Sequence, residues 1–561
     1  MRGMSESRSI GLVIKKLDEF SSNRLMKLFL YASSLIFFFA LVLLPPLIGI
    51  IENISYINTI IYEQSLLSRA NSAILQSFIM AFLVSILDLV AALPLAWFIA
   101  RSKSKVAHLI DTLVDIPFLM PTAALGYSIL LFWSDKYGLS SLLGVKSLIP
   151  PGFFLVLLLH FVFSYPVIVR VMVGELLNYR EIYEVAARTL GARPWTAVRT
   201  VTLPLLKPGI ITSFLLSLAR SLSETGATVM VAGSWENGPV FLFNLIEMSE
   251  AEVPSILKNG MLVYVSSFLI ASSIAVFFLI SLLAPTIRLP IRRVFPSLEG
   301  KMSSLKAVKL RDSFSLLILF LIVIIPSIFI AFPMFESILG GALGSAFSPF
   351  GPWKDYWRGM LISYGVSLLA TLLNMVFGLP MAVIIARRKL GRVSTILKAI
   401  INIPIIVPSI ALGVSLRLFW GKYASIPDFW TLLSSHITIT YTYFVASMAA
   451  AIESVPQELE DVASTLGARP FSVFCRIIFP LTRYSMFSGA ILVFTRALAE
   501  TGAAKAVAKS REFWTLPVLL VNWIKDENVP ITQKALGAGI YMVSSFIFLL
   551  ALRLFFMKRK E

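Results

Sequence analysis

Two pairs of opposite charges stand inside otherwise apolar sequence: Arg220 with Glu224, and Arg496 with Glu500. Residues four apart share one helix face, so each guanidinium can meet its carboxylate. Ionisable groups in a bilayer are costly and turn toward a partner or a polar cavity. Two roles fit: a pair that neutralises itself, or, with Ser223, Thr225, Gly226 and the equivalent Gly502, the border of a path for solutes. Catalysis has less support. His108, His160 and His436 are scattered without metal-ligand spacing, and the single Cys475 excludes an intrachain disulfide. No catalytic or metal site is expected.

The elements that carry these charges are set by composition. The 561 residues are 57% hydrophobic and 14% charged, with a mean hydropathy of +0.84. Soluble domains carry about 25% charged residues. Apolar windows near 20 residues, the length that spans the hydrocarbon core, recur along the chain. They predict an all-α integral membrane protein with twelve spans. Six lie at 26–49, 72–100, 107–133, 153–176, 208–232 and 260–285. Six more lie at 313–335, 361–386, 396–420, 437–455, 484–508 and 535–556. With the N-terminus inside, Lys and Arg favour the inward segments by about three to one, as the positive-inside rule requires. Both termini are then cytoplasmic. The net charge of +18 reflects those loops and not nucleic-acid binding. The segment 1–25 has no signal-peptide core; Ile10, Leu12, Val13, Leu17 and Phe20 recur at helical spacing, which suits a membrane surface.

The chain repeats itself. TLGARP occurs at 189–194 and at 465–470, and the same offset carries Arg220 onto Arg496 and Glu224-Thr225-Gly226 onto Glu500-Thr501-Gly502. Upstream, Pro94, Pro117 and Pro121 match Pro380, Pro404 and Pro408, and these prolines can kink their helices. Lys505 has no counterpart, since position 229 is Val. Six spans per copy is even, so both copies enter the membrane in the same direction, as parallel transporter repeats do. The expected units are 1–25, a first half 26–285, a basic linker 286–312, a second half 313–556 and a tail 557–561.

Between the fourth and fifth spans of each half lie YEVAARTLGARPWTAVRTVTLPLLKPG (183–209) and LEDVASTLGARPFSVFCRIIFPLTRYS (459–485). Each reads as helix, break, helix. Gly191 and Gly467 can take positive φ and end the first helix. Pro194 and Pro470 suit the first turn of the second, which Pro204 and Pro480 close. Small residues such as Ala186, Ala187 and Ala463 let another protein approach closely.

These segments resemble the EAA loop of ATP-binding-cassette (ABC) importer permeases. The family's alanine pair lies on Ala186-Ala187 and on Val462-Ala463, and its glycine on Gly191 and Gly467. Its acid falls on Val185 in copy one, where Glu184 precedes it, and on Asp461 in copy two, next to Glu460. Its terminal Leu-Pro is Leu203-Pro204, and Phe479-Pro480 in copy two. The resemblance implies a type I importer permease in the cell membrane, fused from two halves, with each loop docking one of two ATPase subunits. It also implies an external solute-binding protein. The chain has no P-loop: the Gly-Lys pairs at 300–301 and 421–422 are followed by Met and Tyr. It needs no cofactor of its own, and ATP and Mg belong to the partner. SETGATVMVAG (223–233) is similar to molybdate, tungstate and sulfate permeases, whereas fused halves are similar to ferric iron and thiamine importers. An inorganic oxyanion is the leading expectation. An ion-coupled secondary transporter is the alternative class.

Overall fold

The computed structural model describes residues 23–557 apart from 103, 135–136, 284–285, 287–295, 349 and 424–425. The expectations for most of 1–25 and for 558–561 lie outside these residues. Every regular element among them is helical. Nine helices are long and apolar enough to cross a membrane: Leu25–Ile60, Gln64–Arg101, Phe153–Asn178, Pro194–Ser223, Ser255–Leu283, Leu305–Leu339, Pro352–Ala386, Pro470–Leu498 and Ile531–Leu552.

The other three expected spans take different forms. Windows 107–133 and 396–420 are each two helices, bent by 106° and 102°, so the described spans number nine, or eleven if each bent pair is one span. The breaks fall at Met120-Pro121 and Val407-Pro408, where Met120 and Val407 are extended (ψ 137° and 136°). Proline pushes the preceding residue out of the helical region. By contrast, Pro94 and Pro380 sit inside unbroken helices. The window 437–455 is a helix, Asp428–Glu453, that buries Ser434, Ser435, His436, Thr438, Thr440 and Thr442. These polar side chains hydrogen-bond within the bundle, which explains why it is less apolar than its 26-residue counterpart Phe153–Asn178.

Windows 208–232 and 484–508 are also divided. Their long helices stop at Ser223 and Leu498, and short helices Gly226–Val231 and Gly502–Val507 follow. At the other end, Pro204 and Pro480 do not close a separate loop helix. The helices run on from Pro194 and Pro470 through π-helical turns at Val198–Thr202 and Phe474–Ile478. The same turn precedes Pro45 at Phe38–Leu43 and Pro326 at Leu319–Ile324. Each proline comes two residues after its π turn. A proline clashes with the carbonyl four residues back, and the wider turn accommodates it without ending the helix.

In the first half Gln64–Arg101, Phe153–Asn178 and Leu203–Ser223 pack on one another; in the second, Pro352–Ala386, Asp428–Glu453 and Phe479–Leu498 repeat that triad. The first span of each half crosses over. Leu25–Ile60 lies on the second half, with Phe37 stacked on Phe377 at 4.3 Å and Leu41 O accepting from Thr438 Oγ1 at 3.1 Å. Leu305–Leu339 lies on the first, where Ser128 Oγ donates to Pro326 O at 2.7 Å. The halves are therefore interlocked. The expected linker 286–312 is partly helical: Pro296–Met302 forms a helix, and Leu305 already starts the next span.

Candidate docking loops and the junction between the halves

Each loop is a short helix ended by glycine: Ile182–Thr189 and Gln457–Thr465, with Gly191 at φ 90° and Gly467 at φ 86°. Only glycine holds that conformation without a Cβ penalty. Next to each glycine an unusually bare leucine projects, Leu190 at 89% exposure and Leu466 at 84%. Tyr183, Val185, Leu459 and Val462 are exposed as well. Ala186 is exposed and Ala187 and Ala463 are partly so. The sequence reading placed Leu190 and Leu466 on a helix face; the structure makes them the apices of the two loops.

The acids serve differently. Asp461 is exposed, but Glu460 turns inward and pairs with Arg387 at 2.6 Å, while Arg387 also donates to Val455 O at 2.9 Å. In the first loop Arg101, the counterpart of Arg387, pairs with Glu181 instead, and Glu184 accepts weakly from Thr202 Oγ1 at 3.5 Å. Glu460 thus anchors its loop to its own half. These anchors were invisible in sequence, because the arginines lie some 80 residues upstream at the end of the second span.

The Arg–Glu pairs form across the helix breaks. Arg220 Nη1 lies 3.7 Å from Glu224 Oε2, and Arg496 Nη1 lies 2.8 Å from Glu500 Oε2. Both carboxylates are buried. Each also caps a short helix: Glu224 Oε1 accepts from Ala227 N at 3.2 Å, Glu500 Oε1 from Ala503 N at 3.0 Å. Arg220 lies over the Phe163 ring at 5.0 Å and within electrostatic reach of Arg496 and Glu500. The four charges therefore gather where the halves meet. Glycine makes that meeting possible. A methyl on Gly226 would strike the Thr501 side chain, and one on Gly502 would lie 2.8 Å from Thr225 Oγ1. Thr122 Oγ1 donates to Ala499 O at 2.8 Å and Ser409 Oγ to Ser223 O at 3.4 Å, again across the junction.

Other buried polar groups escaped the sequence reading. His160 and His436 share the repeat offset of the docking loops, so they are not scattered. His160 bonds Ser221 Oγ at 2.7 Å and Thr228 Oγ1 at 2.9 Å. Asp88 accepts from Ser217 Oγ at 3.0 Å and from Ser164, and its counterpart Asn374 donates to Thr440 Oγ1 at 2.8 Å. Lys505 reaches Glu247 of the first half at 3.0 Å, and Lys525 reaches the same carboxylate at 2.7 Å. Burial works to raise the Glu247 pKa, but the two lysines outweigh it and hold the carboxyl below its usual value. No group of three or more potential metal ligands occurs among the described residues.

A doubled helical unit with crossed first spans and paired exposed loops defines a membrane permease of the multi-subunit transport type. The sequence profile of the binding-protein-dependent transport system inner membrane component matches residues 92–289 and 378–560, and the chain belongs to that family. It is 28% identical over 220 residues to the molybdenum transport system permease protein ModB of Mycobacterium tuberculosis, covering 35% of this chain and 82% of the relative. It is 28% identical over 241 residues to the sulfate transport system permease protein CysT of Escherichia coli, covering 42% and 87%. The probable sulfate permease cysT of Marchantia polymorpha is 31% identical over 195 residues, covering 33% and 67%. Each relative spans less than half of this chain, as two fused permease units require.

Proposed function

We propose that this chain supplies both permease halves of an ATP-driven importer, and that its two loops dock a pair of separate ATPase subunits on the cytoplasmic side. The paired apices Leu190 and Leu466, bare and equivalent in the repeat, carry the reading. Large apolar side chains at the tip of a protruding loop suit a partner's groove. Glu184, Ala186, Ala187, Gly191 and Pro204, with Glu460, Asp461, Ala463, Gly467 and Pro480, shape or anchor these handles. ATP and Mg act in the partner, since neither Gly-Lys pair of this chain sits in a P-loop. The positive-inside bias supports cytoplasmic termini. An external binding protein delivers the solute to the opposite face.

The solute path runs between the halves, where Arg220, Glu224, Gly226, Arg496, Glu500 and Gly502 meet. Their close contact describes a closed junction that opens when the halves part. A tetrahedral oxyanion of the molybdate or sulfate class is the solute, supported by the molybdenum and sulfate permeases among the relatives and by SETGATVMVAG. The fused arrangement favours ferric iron or thiamine as the second reading. Co-purification tests docking: the wild-type chain should retain an ATPase, and the Leu190→Asp/Leu466→Asp chain should lose it. Retention by the double variant rejects the handles. Uptake of labelled molybdate competed by sulfate, and not by ferric citrate or thiamine, tests the solute.

A further inference from the structure

The helix Pro296–Met302 is pressed under the first docking loop. Glu299 is buried and accepts from Thr196 Oγ1 at 2.9 Å and from Arg199 Nε at 2.9 Å. Ser303 Oγ accepts from Trp195 N at 3.2 Å, and Gly300 backs onto the Arg193 guanidinium. A segment preceding the first span of the second half thus locks the loop of the first half. The crossover explains how: Leu305–Leu339 lies on the first half, so the residues before it emerge beside that half's loop.

The other first span has the same relation to the second half, and its register with Leu305–Leu339 is fixed at several points. Asn23 and Ser304 both cap their helices, accepting from Leu25 N and Ala307 N. Ser34 and Ser315 are both buried, the π turns Phe38–Leu43 and Leu319–Ile324 coincide, and Pro45 matches Pro326. Carried upstream without a gap, Leu17-Asp18 falls on Leu298-Glu299 and Ser22 on Ser303. The facing loop is a copy too. Ser472 stands for Thr196 and keeps the hydroxyl, Phe471 stands for Trp195, and Arg469 stands for Arg193. Glu19, in the place of Gly300, brings an acid to that arginine's side.

We propose that residues 17–22 lock the second docking loop as residues 298–303 lock the first, with Asp18 accepting from Ser472 Oγ and Ser22 Oγ accepting from Phe471 N. Each loop is then tied to the first span of the opposite half, so movement of a docked partner is passed to a helix that belongs by sequence to the other repeat. The lock itself is independent of the importer reading; only its consequence for docking rests on that reading. Asp is one methylene shorter than Glu, and Arg199 has become Cys475, so the second lock keeps one side-chain acceptor bond where the first has two.

The full-length membrane-embedded chain tests this without any ATPase. In a Cys475→Ser background, Asp18→Cys with Ser472→Cys should be joined by a short bismaleimide as completely as the reference pair Glu299→Cys with Thr196→Cys. Asp18→Cys alone should react with a water-soluble maleimide at least about tenfold more slowly than Ser5→Cys, because a locked residue reacts only on local opening. A joined reference pair with an unjoined 18–472 pair overturns the proposal. So does rapid labelling at 18, which decides the matter if the reference pair is not joined. A segment lying on lipid would give that second pattern. Neither result bears on co-purification with an ATPase.

Discussion

Two loops that share TLGARP are held to the molecule in opposite ways. The second hangs on one buried ion pair: Arg387 is 6% and Glu460 17% exposed. The first has only the open Arg101–Glu181 pair, with Glu181 at 64% exposure, but gains the buried Glu299 from the linker helix. Equivalent handles therefore need not share equivalent supports. Duplication preserved the surface offered to a partner, Leu190 and Leu466 with their glycines, and let the attachments behind it drift.

Breaking the anchors should expose this difference most strongly. Removing one partner of a buried pair costs about 3–5 kcal/mol, whereas an exposed pair contributes at most about 1 kcal/mol. Arg387→Ala should lower thermal stability and open the second loop to protease, and Arg101→Ala should leave the first almost unchanged. Similar losses for both would remove the contrast. The handles should behave alike where the anchors do not. Leu190→Asp and Leu466→Asp should each weaken ATPase binding by about 2 kcal/mol, near thirtyfold, if both fill a partner pocket. A large effect at one leucine only would show that the drift reached the docking surface. Next in size is Thr196→Val, which strips a partner from buried Glu299. It should cost about 1–2 kcal/mol and raise proteolysis of the first loop alone.

How much of this was legible beforehand depends on distance along the chain. The loops, their glycines and the Arg–Glu pairs were readable because each is a local pattern that occurs twice. The helix breaks at Glu224 and Glu500 were not, since apolarity runs straight through 208–232 and 484–508, and only contact with the other half shows why the helix stops. Pro121 and Pro408 broke their helices and Pro94 and Pro380 did not, although all four sit in similar apolar sequence. The supports, Arg387 to Glu460 and Glu299 to Thr196, join residues about 70 to 100 positions apart, beyond any periodicity. The crossing of the first spans, which makes the second contact possible, leaves no mark in hydropathy at all.

The smallest expected effect concerns the end of the bundle away from the loops, where the halves differ by Lys505 against Val229. Glu247 bridges Lys505 and Lys525, and its carboxyl is held below the usual value near 4.3. A carboxyl with a lowered folded pKa stabilises fully above its unfolded pKa and loses that contribution as pH falls through the folded value. Because the side chain is 25% exposed, Glu247→Gln should cost only about 1 kcal/mol at pH 7. That gap between wild type and variant should close as the pH falls below about 4. A gap that stays constant with pH would assign Glu247 to packing. A closing gap would show that Lys505, alone among its repeat positions, ties the halves together by charge.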